Sequence, residues 1–305
     1  MKKRNWIIYL LFILLSISGF YEAKSYRLIY KTEQTGTTIR TYAEGVDHAE
    51  PALGDSRNDY AHWPSSPGYP YTVNVALSSA NLQLSERSSF RNALAAAAGA
   101  WNGNSSFNLI QYNVATNVVS NTFSHDGQNV CYWITNADDP IYDETGMLDA
   151  FLADPSIIVS AVTMIEIDDD NIIWEFDIAV NGVTLDWSDQ EDWDPVNGST
   201  FDVQAMFTHE LGHGLGLGHS DFVCEDCQYS AIPTMWTPDT YSDDRSGYIG
   251  SDARSLHDDD IGGMNFLYPQ KVTVTSSAEF LSALSTAANF ADAYYIIVVN
   301  AQAPL

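Results

Sequence analysis

The sequence predicts an α+β fold: a mixed sheet with a few helices, closed by a histidine-bearing helix and a short acidic helix. Three observations carry this. β-Branched and alternating segments dominate the chain before residue 200, with one alanine-rich helical stretch among them. Three histidines at metal-ligand spacing follow, on a segment that reads as a helix ended by glycine. An acidic-headed segment with apolar residues at helical spacing ends the pattern at Tyr268.

The elements follow in order. Lys2, Lys3 and Arg4 precede a nearly continuous apolar run from Trp6 to Ile17, and small residues follow at Ser18, Gly19 and Ala23. That run is shorter than the ~20 residues a spanning helix needs. Residues 1–23 are therefore expected to be a cleaved secretory signal. Residues 24–60 are polar and mixed, with strand character at Thr37–Thr41, and read as an N-terminal extension. Tyr69–Leu77 alternates as a first strand, and the alanine-rich segment from Phe90 to Trp101 reads as a helix. Phe107–Tyr112 and Val130–Thr135 are strand candidates. Ile157–Ile167 and Ile172–Val180 are β-branched runs joined at Asp168–Asn171, as in a hairpin. Asp186–Thr200, rich in Asp, Trp, Asn and Gly, leads into the histidine helix.

His209-Glu210-Leu211-Gly212-His213-Gly214-Leu215-Gly216-Leu217-Gly218-His219 states a chemistry. His209 and His213 are four apart on one helical face, so both imidazoles reach one metal ion. Glu210 lies beside that ion, where a carboxylate acts as a base toward a water the metal activates. Gly216 permits the left-handed stop that turns the chain back and delivers His219. Three nitrogens and one open position describe a catalytic zinc site, because structural zinc is usually closed by four protein ligands.

These residues match the pattern H-E-x-x-H-x-x-G-x-x-H of the metzincin metallopeptidases at every fixed position. Ala231-Ile232-Pro233-Thr234-Met235-Trp236 resembles that family's Met-turn, in which a methionine floors the metal site. Ser220 after the third histidine, and Leu256, Asp259, Asp260, Ile261, Gly263, Leu267 and Tyr268 of the last helix, resemble the matrixin (matrix-metalloproteinase-like) branch. The resemblance implies a catalytic domain over residues 61–270 with a mostly parallel twisted sheet, an active-site helix, a Met-turn and a C-terminal helix. It implies zinc, one ion per chain, on His209, His213 and His219, with Glu210 catalytic and Met235 in the turn. In matrixins residues like 24–60 form a propeptide whose cysteine blocks the metal, but no cysteine precedes Cys131 here. A strand beside the cleft pairs with extended substrate in that branch, and residues 157–180 are the candidates for it. Tyr241, Tyr248 and Ile249, between Trp236 and Ser255, are candidate pocket liners.

Composition sets the partners. With 40 acidic against 13 basic side chains the net charge is −27, which disfavours nucleic acid and anionic membrane. Structural calcium is compatible with Asp168–Asp170 and the acids of 186–194, and a solvated acidic loop explains them equally well. Cys224 and Cys227 read as a local disulfide in a secreted chain; a C-x-x-C half-site for zinc has no second half, and Cys131 is left as a free thiol. After Pro269 a strand–helix–strand pattern in residues 271–305 resembles the opening cap of a parallel β-helix, or else is a tail packed on the catalytic domain. The expectation is a secreted, monomeric, zinc-dependent endopeptidase acting on extracellular proteins or peptides. The alternative is a non-catalytic adhesion or carbohydrate-binding protein built on a metallopeptidase-like domain; the intact Glu210 speaks against it.

Overall fold

The computed structural model describes residues 27–29, 39–42, 48–49, 56–64, 71–78, 82, 84–104, 110–114, 126–136, 138, 159–189, 200–220, 232–236, 251–268, 270–289 and 295–299. The expected signal segment, Cys224, Cys227, Tyr241, Tyr248 and Ile249 lie outside them. None of the described helices is long and apolar enough to cross a membrane.

The molecule is α+β with a mostly parallel sheet. Its strands are β1 (Leu28–Ile29), β2 (Ile39–Tyr42), β3 (His48–Ala49), β4 (Tyr71–Leu77), β5 (Ile110–Val114), β6 (Asn129–Ile134), β7 (Ala161–Ile167), β8 (Ile173–Asn181), β9 (Asp186–Ser188), β10 (Thr200–Asp202), β11 (Gln270–Val274) and β12 (Tyr295–Val299). Its helices are α1 (Leu84–Asn104), α2 (Val203–Gly214), α3 (Asp258–Leu267) and α4 (Ser277–Asn289). Six strands form the main sheet in the order β2-β7-β8-β6-β4-β5. β5, β4, β6 and β8 are mutually parallel, and β7 runs against its neighbours β8 and β2. Of the parallel strands, β6 is buried along nearly its whole length, whereas β4 alternates, with Val73 and Val75 buried and Thr72 and Asn74 exposed.

Alternation along the strands decides the two faces. Val73, Val75, Ile165, Phe176, Ile178 and Val180 face α1 and α2 and form the main core with Leu94, Ala97, Trp101, Met206, Phe207 and Leu211. Val130, Tyr132, Ile134, Val162 and Ala179 form a second cluster on the opposite face. The β7–β8 hairpin turns at the expected acidic stretch. Asp168 Oδ1 accepts from the N–H groups of Asp170 and Ile172 at 2.9 Å each, and Asn171 takes the left-handed conformation at φ 60°. Asp168 thus has a local structural task there.

The N-terminal extension is built into the fold more closely than its polar composition implies, and the strand character expected at Thr37–Thr41 falls at β2. Leu28 and Ile29, from the polar N-terminal extension, are fully buried in the main core. The extension also supplies the outermost strand of the sheet, β2, paired with β7. At the other end, β11 and β12 pair in parallel with α4 between them, the strand–helix–strand order expected for the last segment.

Candidate metal centre

α2 is built to hold its place. Asp202 caps its N-terminus, Oδ1 accepting from Gln204 N at 2.9 Å and Ala205 N at 3.0 Å. Its other oxygen takes the Nε–H of Arg254 at 2.6 Å, tying the cap to the turn before α3. Three aromatic donors fix carbonyls along the buried face and end of α2. Trp101 Nε1 donates to Thr208 O at 2.9 Å, Tyr112 Oη to Leu211 O at 2.6 Å and Trp63 Nε1 to Gly214 O at 2.8 Å. Trp101, read in sequence as the end of a helix, is thus a direct support of the histidine helix.

The helix stops where glycine allows it. Gly216 has φ +97°, and a Cβ there would lie 2.1 Å from Ala61 O, so any side chain is excluded both by backbone conformation and by space. The chain then turns back. Gly216 O accepts from Ile29 N at 3.0 Å, and Gly218 N donates to Arg27 O at 2.9 Å, so β1 braces the loop that delivers His219.

The three histidines meet. His213 Nε2 lies 3.1 Å from His209 Nε2 and 3.1 Å from His219 Nε2. His209 Nδ1 donates to Thr234 O at 2.7 Å and His213 Nδ1 to Leu217 O at 2.8 Å. Carbonyls only accept, so the proton sits on Nδ1 in both rings and the Nε2 lone pairs point at one another. Converging lone pairs repel unless a cation lies between them. Zinc–nitrogen bonds of about 2.0–2.1 Å at tetrahedral angles set such nitrogens roughly 3.3 Å apart, close to what is seen. The residues therefore fit a metal ion, and they are the one group of three or more His, Cys, Asp or Glu among the described residues whose ligand atoms all lie within 4.8 Å of one another. Burial lowers the pKa of His209 to about 4, opposed by its bond to Thr234, which keeps the ring in the neutral, ligating form at ordinary pH.

Met235 packs against α2 at Gly212. It is buried, and a Cβ on Gly212, between the two helical histidines, would meet its Sδ at 2.2 Å. Trp236 N donates to Pro233 O at 3.1 Å to close the turn, and Ser220 N donates to Met235 O at 2.8 Å. Asp260 of α3 holds the turn from beneath, accepting from Thr234 N at 2.9 Å, Met235 N at 3.0 Å and His257 N at 2.9 Å. Burial raises its pKa to about 6 against these three bonds. Asp259 accepts from Ser220 Oγ at 2.7 Å. The paired acids that open α3 thus fasten the residue after His219 and the methionine turn to the same helix.

Glu210 is buried beside the histidines, and here the structure adds a residue no motif names. Thr163 of β7 donates from Oγ1 to Glu210 Oε2 at 2.5 Å and lies 3.2 Å from Glu210 O. Thr163 is itself fully buried. It holds one carboxylate oxygen of Glu210 in place. Cys131 is buried and free, and burial first, then Asp177 and Glu210, push its thiol pKa upward, so it stays protonated.

No protein-family model matches this chain, and no curated sequence matches it either.

Proposed function

We propose that the protein is a zinc-dependent endopeptidase of the matrixin kind, secreted and acting on extracellular proteins or peptides. One observation carries the reading: three Nε2 atoms converge, two of them 3.1 Å from the third, beside the buried carboxylate of Glu210. A purely structural zinc would ask for a fourth protein ligand, and a scaffold that only bound a partner would have no use for a base at Glu210. The strand order, with one antiparallel strand beside α2, and the methionine turn at Met235 agree with the family's organisation.

His209, His213 and His219 would hold zinc, which when bound polarises a peptide carbonyl and acidifies a water. Glu210 takes a proton from the attacking water and passes it to the leaving amine, so water and peptide yield an acid and an amine. Thr163 fixes the carboxylate for that transfer, and its strand, β7, lies within residues 157–180, the candidates for pairing with an extended peptide. Structural calcium remains part of the proposal through the acidic loops, as does the reading of residues 271–305 as a separate small module. Hydrolysis of a quenched-peptide library by purified protein, lost with a zinc chelator and restored by added zinc, tests the function.

A further inference from the structure

The sheet does not end at β7, the strand that carries the contact to Glu210. It ends at β2, which lies on the side of β7 away from β8. The pairing is antiparallel, with Ile39 opposite Ile167, Arg40 opposite Glu166, Thr41 opposite Ile165 and Tyr42 opposite Met164. The next residue along β7 is Thr163, whose hydroxyl meets Glu210. Read from its N-terminus, β2 therefore advances along β7 toward the candidate base. An incoming extended peptide needs the unpaired N–H and C=O groups of an edge strand. From Met164 to Ile167 those groups face the chain's own residues.

The anchoring of the neighbouring strands makes this occupancy reversible. β1 and β3 pair with each other, Leu28 opposite Ala49 and Ile29 opposite His48. β1 is buried and bonded to Gly216 and Gly218. β2 thus lies in the chain between two strands that pair with each other. That pairing does not involve β2, so β2 can detach while β1 keeps bracing the histidine loop. A four-residue outer strand with one neighbour belongs to the elements that open most readily.

We propose that residues 39–42 are a tethered occupant of the peptide-docking edge: a substrate pairs with β7 only when β2 leaves, and the full chain restrains itself in this way. The proposal rests on the peptidase reading for its consequence, and on strand pairing alone for its geometry. A tether of this length holds the strand at an effective concentration of about millimolar, enough to outcompete weak peptides.

The test uses the full chain with Arg40→Pro and Thr41→Pro together. Neighbouring residues of a strand point their N–H groups to opposite sides, so the pair removes a ladder donor whichever of them faces β7. A second variant, with residues 31–46 replaced by a Gly/Ser linker, keeps β1 and β3 should the prolines hinder folding. The primary readout is binding of a fluorescent peptide copying residues 37–43. Either variant should bind it, wild type should bind at least roughly tenfold more weakly, and amides of residues 164–167 should exchange faster in the variants. Hydrolysis of a generic quenched peptide should rise by a similar factor through a lower KM. Variants that bind the peptide no better than wild type overturn the proposal, whatever their activity. Tighter peptide binding without hydrolysis in any form would uphold the occupied edge and sink the peptidase reading instead.

Discussion

Thr163 sits 47 positions before Glu210 in the chain and touches it only because β7 lies beside α2. A hydrogen bond to a charged group is worth about 1.5–3 kcal/mol, roughly a tenfold to hundredfold effect. Thr163→Val should therefore lower kcat by on the order of tenfold or more with zinc content unchanged, and Thr163→Ser should keep most of the rate. Steady-state kinetics beside metal analysis decide it, and a Val variant as fast as wild type would remove Thr163 from the machinery. The histidines contrast with it. His209 and His213 are four apart, so helical periodicity alone predicts their shared face, and Glu210 adjoins the first of them. His219 needed only the glycine stop at Gly216. His219→Ala should lower bound zinc to well under one ion per chain.

At the scale of elements, helix α2 and its return loop were readable because each signal lies within the segment that uses it. The strands from Tyr71, Ala161 and Ile173 were readable for the same reason. β1, β2 and β3 were far less so. Leu28–Ile29 and His48–Ala49 are two residues each, too short to show alternation, and their partners lie in other parts of the chain. Only Thr37–Thr41 hinted at β2, and nothing local says it pairs with β7. The return loop yields a sharp prediction. Gly216→Ala introduces a Cβ against Ala61 O at a backbone conformation that side chains rarely adopt. It should cost about 1–3 kcal/mol and weaken zinc retention together, read by thermal melting and by metal analysis after dialysis. Unchanged melting with full zinc would mean the loop tolerates another path. Met235→Leu keeps the apolar floor and should cost less than about 1.5 kcal/mol.

Across the whole molecule, three acidic side chains meet inside the fold at a place that the sequence does not mark. Glu166, Glu175 and Asp177 are buried on adjacent strands, on the face of the sheet away from α2. Glu175 Oε2 accepts from Gly127 N at 2.6 Å and Asp177 Oδ1 from Val130 N at 2.9 Å. Burial raises the pKa of Glu175 to about 7 and that of Asp177 to about 8, with the backbone N–H bonds opposing and the neighbouring acids adding. Both folded values lie above the unfolded ones, so the folded chain binds protons the unfolded chain has released. Stability from these groups is present below about pH 4 and is lost as pH rises toward 7–8. Melting temperature should fall between pH 5 and pH 8, and Glu175→Gln should flatten that fall; a wild-type curve that rises over the same range would contradict it. The C-terminal unit gives a second whole-chain prediction. Pro269 separates α3 from β11, and β11, α4 and β12 follow as one strand–helix–strand unit. A chain ending at Pro269 should retain zinc and peptide hydrolysis, and a markedly less stable and less active product would join residues 271–305 to the catalytic domain.

In the proposed function His209, His213 and His219 hold a metal ion, and Glu210 beside it serves as the base for peptide hydrolysis. Zinc content and cleavage of a peptide library, measured side by side on wild type and Glu210→Ala, test it most directly. Both proteins should carry one zinc per chain, and the variant should lose hydrolysis by at least ~10²–10⁴-fold. Undiminished cleavage by Glu210→Ala, or wild-type protein that binds no zinc, would contradict it.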